Sequence, residues 1–174
     1  MSHPFQHITP ESHIIQIQPV EVSGIPFGLM GDMLHGGGNK WLGMQYGMSV
    51  RQSWQTEGII CDPQYIWKLW DDFGIMDAQM IGFWEKNPAV TTSDKDVKVT
   101  TYVNKGKTLL SIGNYSKVKK LVKLNIDWKQ LGLNPSSVHI QAPAVTDFQG
   151  AQEFALDDLI PIDPKRGWLI LLSE

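Results

Sequence analysis

The sequence predicts a mainly β protein: an antiparallel β-sandwich over residues 88–174, preceded by a short α/β segment with one clear helix at about 63–73. Three observations carry that prediction. Beyond Pro88, apolar and polar residues alternate with a period of two in several short runs, which is the pattern of half-buried strands. Residues 63–73 instead place apolar side chains at helical spacing. Composition shifts near the same boundary: all seven Met lie at or before Met80, and eleven of the sixteen Gly precede Pro88, so the two halves are built under different packing regimes.

The elements follow in chain order. Residues 1–19 read as a flexible terminus. Within it, Ile14–Gln18 alternates weakly, and beyond it Ile25–Met30 is a second apolar run; each is a candidate short strand. Residues 31–41 read as a loop, because the three consecutive glycines Gly36, Gly37 and Gly38 maximise backbone freedom. The helix 63–73 has Asp62 as N-cap and Pro63 at the first helical position, where a missing N–H costs nothing. Ile66, Leu69, Trp70 and Phe73 form its apolar face, and Gly74 ends it. Val97, Val99, Thr101 and Val103 then alternate with polar residues, Asn104–Lys107 turns, and Thr108–Gly113 returns. Further strands are expected at Val122–Trp128, Ser137–Ala142, Leu159–Ile162 and Gly167–Leu172. Pro161 suits an edge strand.

Length and charge exclude several classes. The 174 residues fall short of the roughly 200–250 that a (β/α)₈ barrel needs, so a complete barrel enzyme is not expected. With 42% hydrophobic residues and a net charge of −3, global disorder is excluded and there is no reason to expect phosphate-backbone binding. The charge is uneven: four bases against nine acids give −5 for residues 1–90, while eleven against nine give +2 for residues 91–174. The lone Cys61 rules out an internal disulfide and a multi-cysteine zinc site. No apolar run approaches the ~18–20 residues of a membrane span, and the start has no secretory pattern. No membrane or nucleic-acid partner, no cofactor and no metal are expected; His3, His7 and His13 form no His-Glu-x-x-His motif. Gly31 and Gly36 have phosphate-loop separation, but no Gly-Lys-Ser/Thr follows in place.

Loop 31–41 is the best functional candidate. Asp32, His35, Asn39, Lys40 and Trp41 gather around an approachable backbone, with Tyr46 and Arg51 close behind. A carbohydrate site needs this mixture, an aromatic face for the apolar side of a sugar and polar groups for its hydroxyls. The alternative is a glycine-rich surface loop whose Trp41 merely packs. Two adjacent acid pairs, Asp71–Asp72 and Asp157–Asp158, make poor glycosidase pairs. Such carboxylates must face each other across a sugar, whereas adjacent helical residues diverge by ~100°. Cys61 reads as a core or semi-buried thiol. The basic run Lys117–Lys123 reads as a solvated strand face, with Lys119 and Lys123 opposite Val122 and Leu124.

Three stretches together carry a family resemblance. They are Pro26–Asn39 with Gly43–Arg51; Ile66–Ile75 with Met80–Trp84; and Gly167–Leu172. They resemble the C-terminal portion of large glycoside hydrolases, similar to glycoside hydrolase family 123 and its uncharacterised relatives, across roughly residues 20–174. The resemblance implies a (β/α)₈ barrel followed by a β-sandwich. Residues 20–87 would then be the end of the barrel, with 63–73 as its closing helix, and residues 88–174 the sandwich. Loop 31–41 would lie at the barrel's C-terminal face, making Asp32, Asn39, Trp41 and Arg51 sugar-contacting candidates. The family is expected to use an adjacent Asp-Glu pair on N-acetylhexosaminides, and this sequence contains no such pair. No catalytic residue is therefore assigned.

Two partners are implied: a carbohydrate, and a barrel supplied from upstream or by another chain. The expectation is a fragment or subunit that is not catalytic alone and that contributes part of a sugar site. The alternatives are a carbohydrate-binding module, with Trp41, Trp54 or Trp84 as stacking platforms, and a protein-interaction domain that uses the Met- and Trp-rich first half.

Overall fold

The computed structural model describes residues 40–47 and 63–174. Among these described residues two helices come first, α1 (Lys40–Met44) and α2 (Pro63–Phe73). Ten strands follow: β1 (Gln79–Ile81), β2 (Val90–Thr92), β3 (Val97–Asn104), β4 (Lys107–Asn114), β5 (Lys120–Val122), β6 (Leu124–Ile126), β7 (His139–Ala142), β8 (Gln152–Phe154), β9 (Ile160–Ile162) and β10 (Gly167–Ser173). A four-residue helix, α3 (Trp128–Leu131), lies between β6 and β7. The central sheet has six antiparallel strands in the order β1-β3-β4-β10-β7-β8. Two antiparallel ribbons, β2-β6 and β5-β9, account for the other strands among the described residues.

Period two divides the central sheet into two packing faces. Val97, Val99, Leu110, Ile112, Ile170 and Leu172 point into one cluster, where Val90 and Leu124 of the first ribbon and Val122, Ile160 and Ile162 of the second cover them. This is the sandwich. Tyr102, Leu109 and Leu169 point the other way, into a second cluster with Met44 of α1 and Ile66 and Phe73 of α2. The sheet therefore carries ribbons on one face and helices on the other.

The helix at 63–73 forms as its spacing predicts. Ile66 and Phe73 are buried, Leu69 and Trp70 pack partly buried beside them, and Gly74 ends the helix at φ 76°. The Gly74 N–H donates to Trp70 O at 2.9 Å. The β3–β4 hairpin also forms as expected, its turn held by Gly106 at φ 71°. The returning strand is one residue longer at each end than the alternation suggests.

Three expectations need correction. The periodic run Val122–Trp128 is not one strand. It breaks at Lys123, whose backbone carbonyl accepts from Ser93 N and whose N–H donates to Ser93 Oγ, both at 3.0 Å. Its two halves join different ribbons, and Trp128 opens α3, capped by Asp127 Oδ1 accepting from Gln130 N at 3.0 Å. Second, the strand expected from Ser137 starts at His139. Third, the loop at 31–41 does not extend through Lys40 and Trp41, which belong to α1. The candidate strands at 14–18 and 25–30, the N-cap Asp62, Cys61, Trp54 and the three N-terminal histidines lie outside the described residues.

Where β10 runs past the end of β7, a side chain substitutes for a strand. Gln149 accepts from Leu169 N through Oε1 and donates to Leu169 O through Nε2, each at 2.8 Å. Both polar groups of Leu169 are thus paired next to the core.

Candidate functional site

The segment 40–47 lies on the helical face of the sheet, held by buried side-chain hydrogen bonds. Tyr102 Oη donates to Met44 O at 2.8 Å, and Thr100 Oγ1 donates to Gln45 O at 2.7 Å. Gln45, fully buried, donates from Nε2 to Lys98 O at 2.5 Å and Ser111 O at 3.3 Å. Burial pushes the Tyr102 phenol well above its ordinary value, so the hydroxyl stays protonated and remains a donor. Gly113 makes the close approach possible: a Cβ there would meet Leu42 Cδ2 at 2.8 Å and Gln45 Cδ at 3.0 Å. Gly47 ends the segment at φ 74°.

Aromatic rings surround this contact. Trp41 lies 4.8 Å from Phe148, centroid to centroid, and the Arg166 guanidinium sits 5.0 Å from its ring centroid. That places a cation over the electron-rich face. Tyr46, buried, stacks on Trp84 at 5.4 Å and 10° and meets Phe83 edge-on at 5.6 Å. Tyr115 Oη is 3.4 Å from Tyr46 Oη. The Trp84 ring lies against Gly82, where a Cβ would come within 2.4 Å of it.

Of the sequence-derived site residues, Trp41 and Tyr46 both lie on the docked segment, Trp41 against Phe148 and Arg166 and Tyr46 against Phe83 and Trp84. Lys40 begins α1, and its side chain lies outside the described residues, as do Asp32, His35, Asn39 and Arg51. Gln45, Thr100 and Tyr102 were not legible as site residues. Thr100 and Tyr102 belong to the polar phase of β3, which reads as solvent-facing. The available signal was the side-chain type: Thr and Tyr can be buried once paired, unlike the Lys or Glu of a solvated face.

The charged clusters pair locally. Asp72 binds Lys68 one helical turn away at 2.8 Å, Asp157 binds Lys123, and Asp158 Oδ2 accepts from Ala155 N at 2.7 Å in a turn. In the basic run, Lys119 pairs with Asp163, and Lys120 bridges Asp94 and Asp96. The hydrogen bond from Lys120 holds the Asp94 carboxyl below its ordinary value.

Geometry thus defines a class: a mainly β domain with antiparallel sheets, carrying on one face a short docked segment. Comparison with known families gives that segment its origin. Residues 4–53 match the TIM-barrel domain of glycoside hydrolase 123, and residues 62–173 match the C-terminal domain of glycoside hydrolase 123. The chain belongs to glycoside hydrolase family 123, and membership implies a carbohydrate substrate class. No curated protein matches the chain. The C-terminal-domain match includes α2, whereas α1 lies within the barrel match. The bonds from Tyr102, Thr100 and Gln45 therefore join the two matched regions. No helix among the described residues is long and apolar enough to cross a membrane.

Proposed function

We propose that the β domain is a mount for the end of the family's barrel. By fixing 40–47, it would fix the exit of loop 31–41, whose Asp32, His35 and Asn39, with Lys40 and Arg51, contact carbohydrate. Trp41 and Tyr46 serve this site from within the packing, as anchors of the loop's exit. The chain alone binds sugar and does not cleave it. The observation that supports the reading is the set of buried hydrogen bonds from Tyr102, Thr100 and Gln45 onto a segment within the barrel match. So much buried polar pairing specifies one docking geometry.

Calorimetric titration with N-acetylhexosaminides and related oligosaccharides tests the proposal. Binding is expected to vanish in Asp32→Ala and to weaken in Tyr102→Phe, which touches only the mount. Silence toward every sugar tested would sink the binding role. Turnover of aryl N-acetylhexosaminides that disappears in Asp32→Ala would overturn the non-catalytic assignment. One observation favours a second reading, a carbohydrate-binding module: Trp84 is 36% exposed while stacked on Tyr46. Under that reading Trp84→Ala abolishes binding and Asp32→Ala leaves it intact.

A further inference from the structure

Among the described residues, the outward face of the β5–β9 ribbon is used neither by the core nor by the segment 40–47. Register fixes its pattern. Leu121 lies opposite Pro161, and the Lys119–Asp163 ion pair at 3.4 Å continues the ladder one step outward. Alternation turns Lys119, Leu121 and Lys123 to the outside on one strand, and Leu159, Pro161 and Asp163 on the other. The intervening Val122, Ile160 and Ile162 are buried in the core. Leu121 is 60% exposed and Leu159 57%, with Val118 at 59% and Leu156 at 43% just beyond them in sequence. Leu121, Pro161 and Leu159 are neighbours on one face and form an apolar patch, with Val118 and Leu156 exposed in the flanking loops.

Charge is arranged around that patch in columns. The bases, Lys119 and Lys123, stand on the β5 side. Their acids, Asp163 and Asp157, stand on the β9 side, at 3.4 Å and 2.5 Å. Lys120 takes no part, since it faces inward and bridges Asp94 and Asp96. A basic column beside an acidic column is self-complementary under one operation. A two-fold axis parallel to the strands lays each β5 over the second copy's β9 at the same level. Lys119 then meets the second copy's Asp163, Lys123 meets its acidic side, and Leu121 meets Pro161 and Leu159 at the centre.

We propose that this face docks a second copy of the chain, ribbon on ribbon, about that axis. An isologous interface requires such self-complementarity, and an apolar centre with a charged rim is the usual interface anatomy. Each lysine keeps donors for a second carboxylate, because an ammonium has three and both side chains remain about half exposed or more, at 60% and 48%. The location also permits it. The ribbon and the segment 40–47 cover opposite faces of the central sheet, so the docked segment and the second copy do not compete.

Sedimentation velocity on the full chain, from about 1 to 500 µM, tests the proposal over the range where weak association is measurable. A concentration-dependent monomer–dimer equilibrium is expected. Leu121→Glu or Leu159→Glu should weaken it about tenfold or more, because a carboxylate would be buried at the centre. The charge columns give a sharper readout. Lys119→Asp with Lys123→Asp should be monomeric, as should Asp157→Lys with Asp163→Lys, and their mixture should form a one-to-one heterodimer. Circular dichroism confirms that each variant is folded. A monomer at every concentration, or a dimer undiminished by both glutamate variants, overturns the proposal. A mixture that stays monomeric while the unmodified chain dimerises overturns the two-fold arrangement.

Discussion

On one face of the six-stranded sheet, Leu110, Ile112, Ile170 and Leu172 meet the aliphatic side chains of the two ribbons. On the other, Tyr102 and Leu169 share the surface with Thr100, Gln45 and their hydrogen bonds to the docked segment. The first face is cohesive because it removes hydrocarbon from water, a force that does not depend on direction. The second is selective because each buried donor needs one acceptor in one place. A face of the first kind suits a core that must hold together. The second suits a join that must be made in one orientation.

The difference can be tested by substitutions of decreasing effect. Ile170→Ala removes a fully buried side chain from the ribbon face and should cost about 2–5 kcal/mol in denaturant unfolding, for the whole β domain at once. Gly113→Val acts on the other face, where the new Cβ would crowd Leu42 and Gln45. The expected cost is about 1–3 kcal/mol, paid locally: hydrogen exchange should accelerate over 40–47 while β3 and β10 stay protected. Tyr102→Phe should give the same local pattern at about 1–2 kcal/mol, since Met44 O loses its buried donor. Equal loss of protection on both faces in either variant would erase the distinction.

The smallest effect belongs to neither face. Asp94→Asn breaks the bond to Lys120, a partly exposed pair worth at most about 1 kcal/mol. The native carboxyl lies below its ordinary 3.8. Its contribution is therefore present above 3.8 and lost as the pH falls through the depressed native value. Stability curves for Asp94→Asn and the unmodified chain should differ at pH 7 and converge in acid. A gap that widens on acidification would contradict the assignment.

Apolar burial is legible in the sequence on both faces; the buried hydrogen bonds that make one of them selective are not. Val97, Val99 and Val103 announce their strand by period, and Ile66 and Phe73 announce their helix, because burial of apolar side chains is a local pattern repeated along the chain. The bond from Tyr102 to Met44 spans 58 residues and leaves no periodic trace. Even a correct period misled at Val122–Trp128, where alternation continues although the strand changes partner at Lys123. Periodicity reports which side of a strand is buried; it does not report which neighbour it pairs with. At the site, Trp41 and Tyr46 stand out by residue type, whereas nothing in the type of Gln45, between them in sequence, marks it as buried, though it is more deeply buried than Tyr46.

The position of β10 has a consequence for how the chain assembles. β10 lies between β4 and β7 and pairs with both. The β3–β4 hairpin can close on itself early, from neighbouring sequence. β7 and β8 have no place beside it until residues 167–173 leave the ribosome and insert between the two halves. Closure therefore waits for contacts of large sequence separation, which fold slowly, and until then β4 presents an unpaired edge to the cell. The chain should therefore depend most on chaperones until β10 has inserted between β4 and β7.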